Sequence, residues 1–524
     1  MKKSLLTLGL LGLSLGAFAQ NPFPLIGPWT TVNQANIQTP PSLGIAQIST
    51  ISPTFCWALA YDAGSSPPGP KNTVLTPSNA AGTEFNYNSV SGSTGFQPSN
   101  ISAITTTLAY CAQYSGNPNG GGGEVIRTTN GGGTWRKITT NANFAAPAGF
   151  ANWVNMFDAN VGVAMGDPNP LPAGGGAGVF EIIRTTNASA SATNPVAGAT
   201  VPTWTRLTTN VPAALDANEY GIVESYTALG NSIWLGTNHT DGGTVDLVAR
   251  VLRSTDRGLT WAAANTPLLG AVSKLAFKDQ NNGIAYRQNT TSADLIRTID
   301  GGATWTTVSL PAGRDTLCGK FYRYDIQAIP GQGFISMGQA LAGNVKAYNF
   351  GVSFSPDGIR WYDIEKGVRS YIAGGLINCV ATPTGRTYQG YLGGFTARAG
   401  ADPAFPAGGQ GGMYQVSATT CATLPTGAAC VTSTRNAELQ SALSVYPNPS
   451  SNGAFQVSLN EGIKAGTVLT VFDVMGRVVM TRELNATAIG SKSVNLDLSN
   501  ERSGVYTLRV SGASGFATAK LVVE

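Results

Sequence analysis

The sequence predicts an all-β protein, a single β-propeller with seven expected blades, followed by a small immunoglobulin-like β-sandwich. Three observations predict this fold. A turn phrase recurs along the middle of the chain, short alternating strands precede each copy, and the last part of the chain has a different strand texture. No helix-period segment of useful length interrupts these patterns.

The recurring phrase begins with arginine, passes through Asp or Asn and glycine, and ends in tryptophan. Copies of the phrase occupy 127–135, 253–261 and 297–305, a shortened copy occupies 355–361, and a copy split by an insertion occupies 184–187 and 202–204. A repeated turn phrase indicates a repeated supersecondary unit, which decides the fold before other arguments apply.

The phrase has a local physical explanation. The Asp or Asn side chain accepts backbone N–H groups of a tight turn, and glycine adopts angles that other residues avoid. The indole is expected to pack under the turn between neighbouring sheets. We therefore predict structural roles for ten residues: Asn130, Trp135, Asn187, Trp204, Asp256, Trp261, Asp300, Trp305, Asp357 and Trp361.

Seven units carry a first and a second apolar strand, mostly about 40 to 60 residues apart, as propeller blades do. The predicted first strands lie at 48–51, 101–104, 154–157, 223–226, 272–277, 324–328 and 377–381. The segment 29–32 resembles the strand that follows each phrase, so we predict that it supplies the outer strand of the last blade. Such closure removes a free sheet edge.

The phrase resembles the Asp-box, or BNR repeat, of sialidase-like and photosystem-assembly-factor-like propellers. The resemblance implies the propeller fold. It implies little about function, because these boxes occur in propellers with unrelated activities.

The C-terminal segment reads as short alternating strands between Gly, Asn and Pro turns, which is typical of a small antiparallel sandwich. Its motif residues are Tyr446, Pro447, Asn448, Pro449, Asp473, Gly476, Arg477, Gly504, Tyr506 and Lys520. The set resembles the type A C-terminal sorting domain of type IX secretion substrates. The resemblance implies the type IX secretion machinery as a partner and a secreted or outer-surface location, reached through the periplasm; an ordinary adhesive module is the alternative.

Residues 1–19 read as a secretory signal peptide: two lysines, a short apolar run and a small-residue cleavage site. The predicted domains are this signal, a propeller over 20–418, a linker over 419–441 and the sorting domain over 442–524. No later stretch reaches the roughly 18 apolar residues that a spanning helix needs.

Composition limits the partners. Charged residues make up 11% of the chain and the net charge is +4, so neither a nucleic-acid footprint nor a polybasic membrane segment is expected. We expect a monomer without a cofactor, with calcium left open.

Among six cysteines, Cys421 and Cys430 flank a turn and are the best disulfide candidates. The other four could be paired or could be buried free thiols; they are Cys56, Cys111, Cys318 and Cys379. No close doublet of cysteines suggests zinc.

The loops between second and third strands are expected to share one face, opposite the turn phrases. The insertions on this face are predicted at 63–98, 115–123, 166–178, 237–243 and 393–412. The weak catalytic candidates on it are Asp62, Asp167, His239 and Asp241, accompanied by Arg287, Arg314 and Asp315, and by Tyr61, Tyr114 and Tyr391 as flat surfaces. Two carboxylates near the channel mouth could bind a cation or act as acid and base, although such residues more often cap turns.

Three functions fit this pattern: a non-catalytic module that binds a glycan or protein, a sialidase-like glycoside hydrolase, or an assembly factor. The sialidase-like families also need an Arg-Ile-Pro phrase and a fuller catalytic set, which the sequence lacks. The binding module is therefore the favoured prediction, and the question of catalysis stays open.

Overall fold

The computed structural model describes most of the chain after residue 28. The described residues are 29–31, 43–62, 71–116, 121–145, 149–169, 178–190, 201–241, 245–288, 293–308, 321–339, 350–367, 373–382, 385–396, 410–417, 443–459, 467–473, 478–484, 490, 492–512 and 515–524. The named secondary-structure elements among them are all β-strands. The chain divides into two compact units, Leu25–Thr423 and a unit that contains Leu424–Glu524.

In the described part of the first unit, the strands form seven four-stranded antiparallel sheets, numbered here in chain order. One short strand, β1 (Trp29–Thr31), precedes sheet 1 in the chain and belongs to sheet 7. Sheets 1 to 3 contain β2 (Leu43–Ser52), β3 (Phe55–Asp62), β4 (Thr73–Pro77) and β5 (Phe85–Ser89); β6 (Phe96–Ala103), β7 (Ala109–Ser115), β8 (Gly123–Thr128) and β9 (Arg136–Lys137); and β10 (Ala151–Met156), β11 (Gly162–Asn169), β12 (Val179–Thr185) and β13 (Thr205–Arg206).

Sheets 4 to 7 continue the same plan. They contain β14 (Glu219–Leu229), β15 (Ser232–His239), β16 (Val248–Ser254) and β17 (Ala262–Ala271); β18 (Lys274–Phe277), β19 (Gly283–Gln288), β20 (Ala293–Thr298) and β21 (Thr306–Val308); β22 (Asp325–Ile329), β23 (Gly333–Gln339), β24 (Phe350–Ser355) and β25 (Tyr362–Gly367); and β26 (Ala373–Thr382), β27 (Gly385–Thr396), β28 (Gln410–Ser417) and β1.

Sheet 7 joins the two ends of the propeller region. Its outer strand β1 pairs with β28, with Trp29 opposite Val416 and Thr31 opposite Tyr414. The first strands of successive sheets are neighbours, and β2 of sheet 1 packs against β26 and β27 of sheet 7. Seven blades and a closed ring stay predictions, which this strand order and these contacts support.

The tryptophans of the turn phrases are buried between sheets. Trp135 of sheet 2 lies edge-to-face with Trp57 of sheet 1, with 6.4 Å between ring centroids. Trp305 of sheet 5 meets Phe277 in a cluster that also holds Trp234 of sheet 4. Each indole thus packs its turn phrase against the preceding sheet, which buries apolar area that one sheet could not bury alone.

The strand pattern corrects one prediction about sheet 1 and adds a turn that was not predicted. The segment 63–98 is not one loop, because it contains β4, β5 and the start of β6. Between β4 and β5, Asn79 accepts the backbone N–H of Thr83 at 3.0 Å, as the box residues do. Phe85 is buried there in the place of the tryptophan. Without the indole and its spacing, the sequence pattern gave no sign of this turn.

The second unit packs two sheets face to face. They are built from β29 (Leu443–Tyr446), β30 (Ala454–Leu459), β31 (Val468–Phe472), β32 (Val478–Glu483), β33 (Ser493–Asp497), β34 (Gly504–Gly512) and β35 (Gly515–Val523). The sheet orders are β29-β30-β33 and β32-β31-β34-β35, and alternating residues of both sheets fill one apolar core. This is the small sandwich that the sequence predicts.

Several motif residues of this tail meet in space. The Asn448 side chain accepts the N–H of Val522 at 2.9 Å and donates to the Lys520 carbonyl, so the segment after β29 is tied to the last strand. The Tyr506 hydroxyl donates to the Arg502 carbonyl at 2.6 Å, as in the tyrosine corner of sandwich domains. Gly476 and Arg477 lie outside the described residues.

Two cysteines are free thiols in the structure. Cys56 and Cys111 are both buried, and burial raises the pKa of each thiol. The predicted pair Cys421 and Cys430 lies outside the described residues, as do Cys318, the signal peptide and the linker. Within the described part of the chain, no helix is long and apolar enough to cross a membrane.

Candidate functional site at the centre of the sheets

Glu224 stands out in the first strand of sheet 4. The register of β14 against β15 shifts between Gly221 and Tyr226, which marks a bulge. Within it, Glu224 has a φ of 63°, an uncommon angle for a residue with a side chain. Outliers of this kind persist where the surroundings hold them, and they cluster at functional sites.

The Glu224 carboxylate joins residues from four sheets. Lys71, just before β4 of sheet 1, contacts Glu224 Oε1 through its Nζ at 2.6 Å. Lys274 of sheet 5 approaches Oε2 at 3.4 Å, and its Nζ lies 4.0 Å from Asp325 of sheet 6. We call these four residues the central charge cluster. Residues far apart in the chain therefore meet here.

Within the cluster, Glu224 and Lys274 favour each other's ionised form. Burial works against the charge of Glu224, but Lys71 and Lys274 outweigh it and lower the pKa of the carboxyl. Burial likewise works against the charge of Lys274, but Glu224 and Asp325 raise the pKa of its ammonium group. Only 10% of the Glu224 side chain is exposed, whereas 33% of the Lys71 side chain is exposed. Lys71 is therefore the member most accessible from solvent.

Asp167, predicted as a catalytic candidate, lies at the end of β11 and is half-buried. Its Oδ1 accepts the Asn152 amide at 2.8 Å and the Gly221 N–H at 3.0 Å. Burial raises the pKa of the carboxyl, although these two hydrogen bonds oppose the shift. The described contacts bring Asp167 to sheet 4, while Asp62 ends β3 opposite Leu43.

His239 is the last residue of β15 rather than a loop residue, which corrects the sequence-based placement. Its ring is buried, Nδ1 lies 2.9 Å from the Val248 carbonyl, and Nε2 lies 3.0 Å from Asp216 Oδ2. A carbonyl and a carboxylate can only accept, so both ring nitrogens must carry protons to make both bonds. Burial opposes the charge, but the bonds to Asp216 and Val248 raise the pKa of His239.

The remaining candidates are dispersed. Asp241 is exposed and accepts the N–H of Val245, as a turn-stabilising side chain does. Arg287 pairs with Asp246 at 2.7 Å. Arg314 and Asp315 lie outside the described residues.

The predicted aromatic platforms also differ in exposure. Tyr391 is fully buried and donates to the Gly82 carbonyl at 3.1 Å, so it belongs to the contact between sheets 7 and 1 and offers no ligand surface. Tyr114 is half-buried and stacks on Phe150 with 4.4 Å between ring centroids. Tyr61, at the end of β3, is half-buried.

Five box side chains make the turn contacts that the phrase suggests. Asp256 and Asp300 each accept two backbone N–H groups and a threonine hydroxyl across their turns. Asn130, Asn187 and Asp357 accept the corresponding N–H groups at 2.8 to 2.9 Å. These oxygens are occupied by the turns, on the side opposite the loops between second and third strands.

Sequence reasoning missed the central charge cluster. Lys71, Glu224, Lys274 and Asp325 lie in four units, and no spacing links them. One signal was present: a glutamate, Glu224, within the segment 223–226 that is predicted as the first strand of unit 4. Within the described residues, no group of three or more His, Cys, Asp or Glu residues could hold a metal ion.

Comparison with known families identifies the tail. Residues 444–524 match the family model of the secretion system C-terminal sorting domain. This tail is a type IX secretion sorting domain. The sorting domain directs the protein to secretion or to the outer cell surface. No curated protein matches the chain.

Solved structures with a similar arrangement are distant. YCF48 bound to D1 peptide is 13% identical, with 77% of this chain and 99% of that chain covered and a TM-score of 0.42. The phage phi92 endosialidase is 10% identical over 95% and 87% of the two chains, with a TM-score of 0.37. PorZ of Porphyromonas gingivalis is 9% identical over 92% and 81%, with a TM-score of 0.22.

Proposed function

We propose that the exported protein is a non-catalytic binding module whose seven-sheet region recognises a glycan or a protein at the central charge cluster. One observation supports the proposal most directly. Glu224 has a positive φ, and its carboxylate lies between the ammonium groups of Lys71 and Lys274, which belong to two other sheets. Binding sites are built where a rigid scaffold converges a few polar groups. Here the scaffold brings charged side chains from four sheets to one place.

The state of these groups favours binding over hydrolysis. Glycoside hydrolysis uses two carboxyl groups with separate tasks, one of them a protonated acid. Glu224 has a lowered pKa, so it has no proton to donate near neutral pH. Its oxygens are paired with two ammonium groups, which makes the carboxylate a poor nucleophile. Fixed paired charges suit the orientation of a polar ligand instead.

A second candidate, glycoside hydrolysis, has one observation in its favour. The raised pKa of Asp167 is the property expected of a general acid. The Asp167 carboxylate is also bonded to Asn152 and Gly221, which fits a residue that fixes the junction of sheets 3 and 4.

The test is a glycan, polysaccharide and protein array probed with the secreted full-length protein, run beside a hydrolysis assay on each bound glycan. We expect binding without turnover, and Glu224→Gln should weaken binding by about tenfold or more, equivalent to about 1.4 kcal/mol. Glu84→Gln is the matched control, because Glu84 is exposed in the turn between β4 and β5, at the end of sheet 1 opposite to Lys71. Thermal unfolding of each variant checks that the fold is retained.

Two results would contradict the proposal. Turnover of a glycan that is lost in Asp167→Asn would establish the hydrolase. Equal binding by wild type and Glu224→Gln would remove the central charge cluster from the binding site.

A further inference from the structure

We propose that one end of sheet 4 is a docking surface for a protein segment in which apolar side chains alternate with lysine or arginine. The inference goes beyond the proposed function by giving a protein ligand a second surface. It rests on the proposed function only for the side of the sheets at which ligands bind. The surface, called here the sheet-4 rim, consists of Leu215, Tyr220, Val245, Val248 and Leu269.

The rim residues share one end of the sheet. Tyr220 lies at the start of β14, opposite Asn238 near the end of β15. Val248 begins β16 and lies directly opposite Leu269 of β17, so their side chains are on the same face. This is the end at which second strands finish, the same end as Lys71 and Asp167.

The rim is apolar and exposed. Between 38% and 54% of the surface of each rim residue is accessible. Among the described residues, the other exposed large apolar groups near the sheets include Leu259, Ile299 and Ile359, which lie singly in turn phrases at the opposite ends. Single exposed apolar residues are ordinary, whereas several gathered at one edge mark an interaction surface.

The more exposed charges around the rim are acidic. Asp216, Asp241 and Asp246 are exposed, with 46% and 39% of the side chains of Asp216 and Asp246 accessible. The cations nearby are less accessible and are paired: Arg250 with Glu219, His239 with Asp216, and Arg287 with Asp246. An approaching partner therefore meets carboxylates around an apolar surface, and Lys or Arg side chains complement them.

Buried hydrogen bonds hold the rim in place. Arg250 Nε donates to Glu219 Oε1 at 2.7 Å, and Arg250 also donates to the Ala213 carbonyl at 2.7 Å. The second Glu219 oxygen accepts the N–H of Leu215 at 2.8 Å. The segment that carries Leu215 is thus fixed to β14 and β16 before any partner binds, which lowers the entropy cost of association.

The test uses the secreted full-length protein and an array of synthetic 12-residue peptides that pair leucine and phenylalanine with lysine, with glutamate or with serine. We expect the lysine set to bind and the other two sets to bind at least about tenfold more weakly. The double substitution of Val248→Thr with Leu269→Asn should reduce that binding by about tenfold or more. Leu259→Asn, in the same sheet at its opposite end, is the matched control and should change binding less than about twofold.

The outcomes separate this inference from the proposed function. Binding of the lysine set that is lost in the double variant and kept in Leu259→Asn supports the rim. Preference for the glutamate or serine set overturns it, as does peptide binding that the double variant leaves unchanged. If no peptide binds while a glycan binds wild type and not Glu224→Gln, the rim inference fails and the proposed function stands. Unfolding temperatures of both variants exclude misfolding as the cause of a loss.

Discussion

A small number of polar side chains determine the local geometry of the turns in this protein. In sheet 5, Asp300 accepts the Thr298 hydroxyl at 2.7 Å and the Thr304 hydroxyl at 2.6 Å, besides two backbone N–H groups. Weak burial works against the charge, but the bonds from Thr304 and Thr298 lower the pKa of Asp300 to about 2. In sheet 2, Asn130 makes the N–H contact with an amide oxygen, so the turn needs an acceptor and not a charge.

Replacing Asp300 separates these two requirements. Asp300→Ala removes every acceptor and should lower the free energy of unfolding by about 1 kcal/mol, whereas Asp300→Asn should cost less. Because its folded pKa is depressed, the Asp300 contribution is present above the unfolded value near 3.9 and is lost as pH falls through about 2. Urea denaturation at pH 7 of the two variants checks the order; an equal cost for both would contradict the acceptor explanation.

His239 should make stability depend on pH. Its folded pKa is raised, so its contribution is fully present below the unfolded value of about 6.5 and is lost as pH rises through the folded value. We expect the urea midpoint to fall between about pH 6 and pH 8, and His239→Asn to flatten that dependence.

A pH dependence in this range can be assigned to His239, because it is the only histidine in the chain. Asp216→Asn is the control that keeps the ring but removes its anionic partner, and it should shift the transition to lower pH. A dependence that persists in His239→Asn would show that another group causes it.

At the scale of elements, each turn phrase fastens its sheet to the sheet before it. Gly258 follows Asp256 in sheet 4 and has a φ of 79°. A Cβ at this position would lie 3.0 Å from the Val163 Cβ of sheet 3, closer than side-chain carbons normally approach. The glycine therefore serves both the turn and the contact between sheets, and its neighbour Trp261 is buried in the same cluster.

Gly258→Ala should destabilise the protein by more than the same change at a glycine with similar backbone angles and open surroundings. Gly331→Ala is that control, because Gly331 has a φ of 71° and no atom within 4 Å of the added Cβ. We expect about 1 kcal/mol from strain at Gly331 and a further loss at Gly258 from the clash with Val163. Thermal unfolding of both variants measures the difference, and equal losses would show that packing adds nothing.

On the scale of the whole molecule, contacts between distant parts of the chain hold the sheets together. Lys71 of sheet 1 reaches Glu224 of sheet 4, and β2 packs on β26 and β27 of sheet 7. The strand β1 completes sheet 7 by pairing with β28. If the sheets form a closed ring, this pairing joins its ends and covers an edge that would otherwise be open to other chains.

Replacing Trp29–Thr31 by three glycines should therefore weaken the propeller as a unit. Glycine keeps the backbone donors but lowers strand propensity and removes side-chain packing. We expect a lower unfolding temperature and faster proteolysis between residues 410 and 417, while the C-terminal sandwich unfolds as before. An unchanged unfolding temperature would contradict the role of β1 in joining the ends.

The sequence by itself determined the features that repeat or that are local. Strand alternation and the box phrase place the first and second strands of all seven sheets, because side-chain periodicity and turn chemistry act over a few residues. The tail motifs determined the sorting domain for the same reason, since its motif order is itself a sequence property. The turn between Asn79 and Phe85 was not predicted, because phenylalanine stands there in the place of the tryptophan of the phrase.

Only the tertiary structure decided which residues meet. It brought Lys71, Glu224, Lys274 and Asp325 together from four sheets, and it turned His239 from a loop candidate into a buried strand-end residue. It gathered the sheet-4 rim at one end of a sheet from β14, β16, β17 and the segments before β14 and β16. These groupings depend on how sheets pack side by side, and that packing is set by buried apolar area summed over the whole chain, which no local pattern encodes.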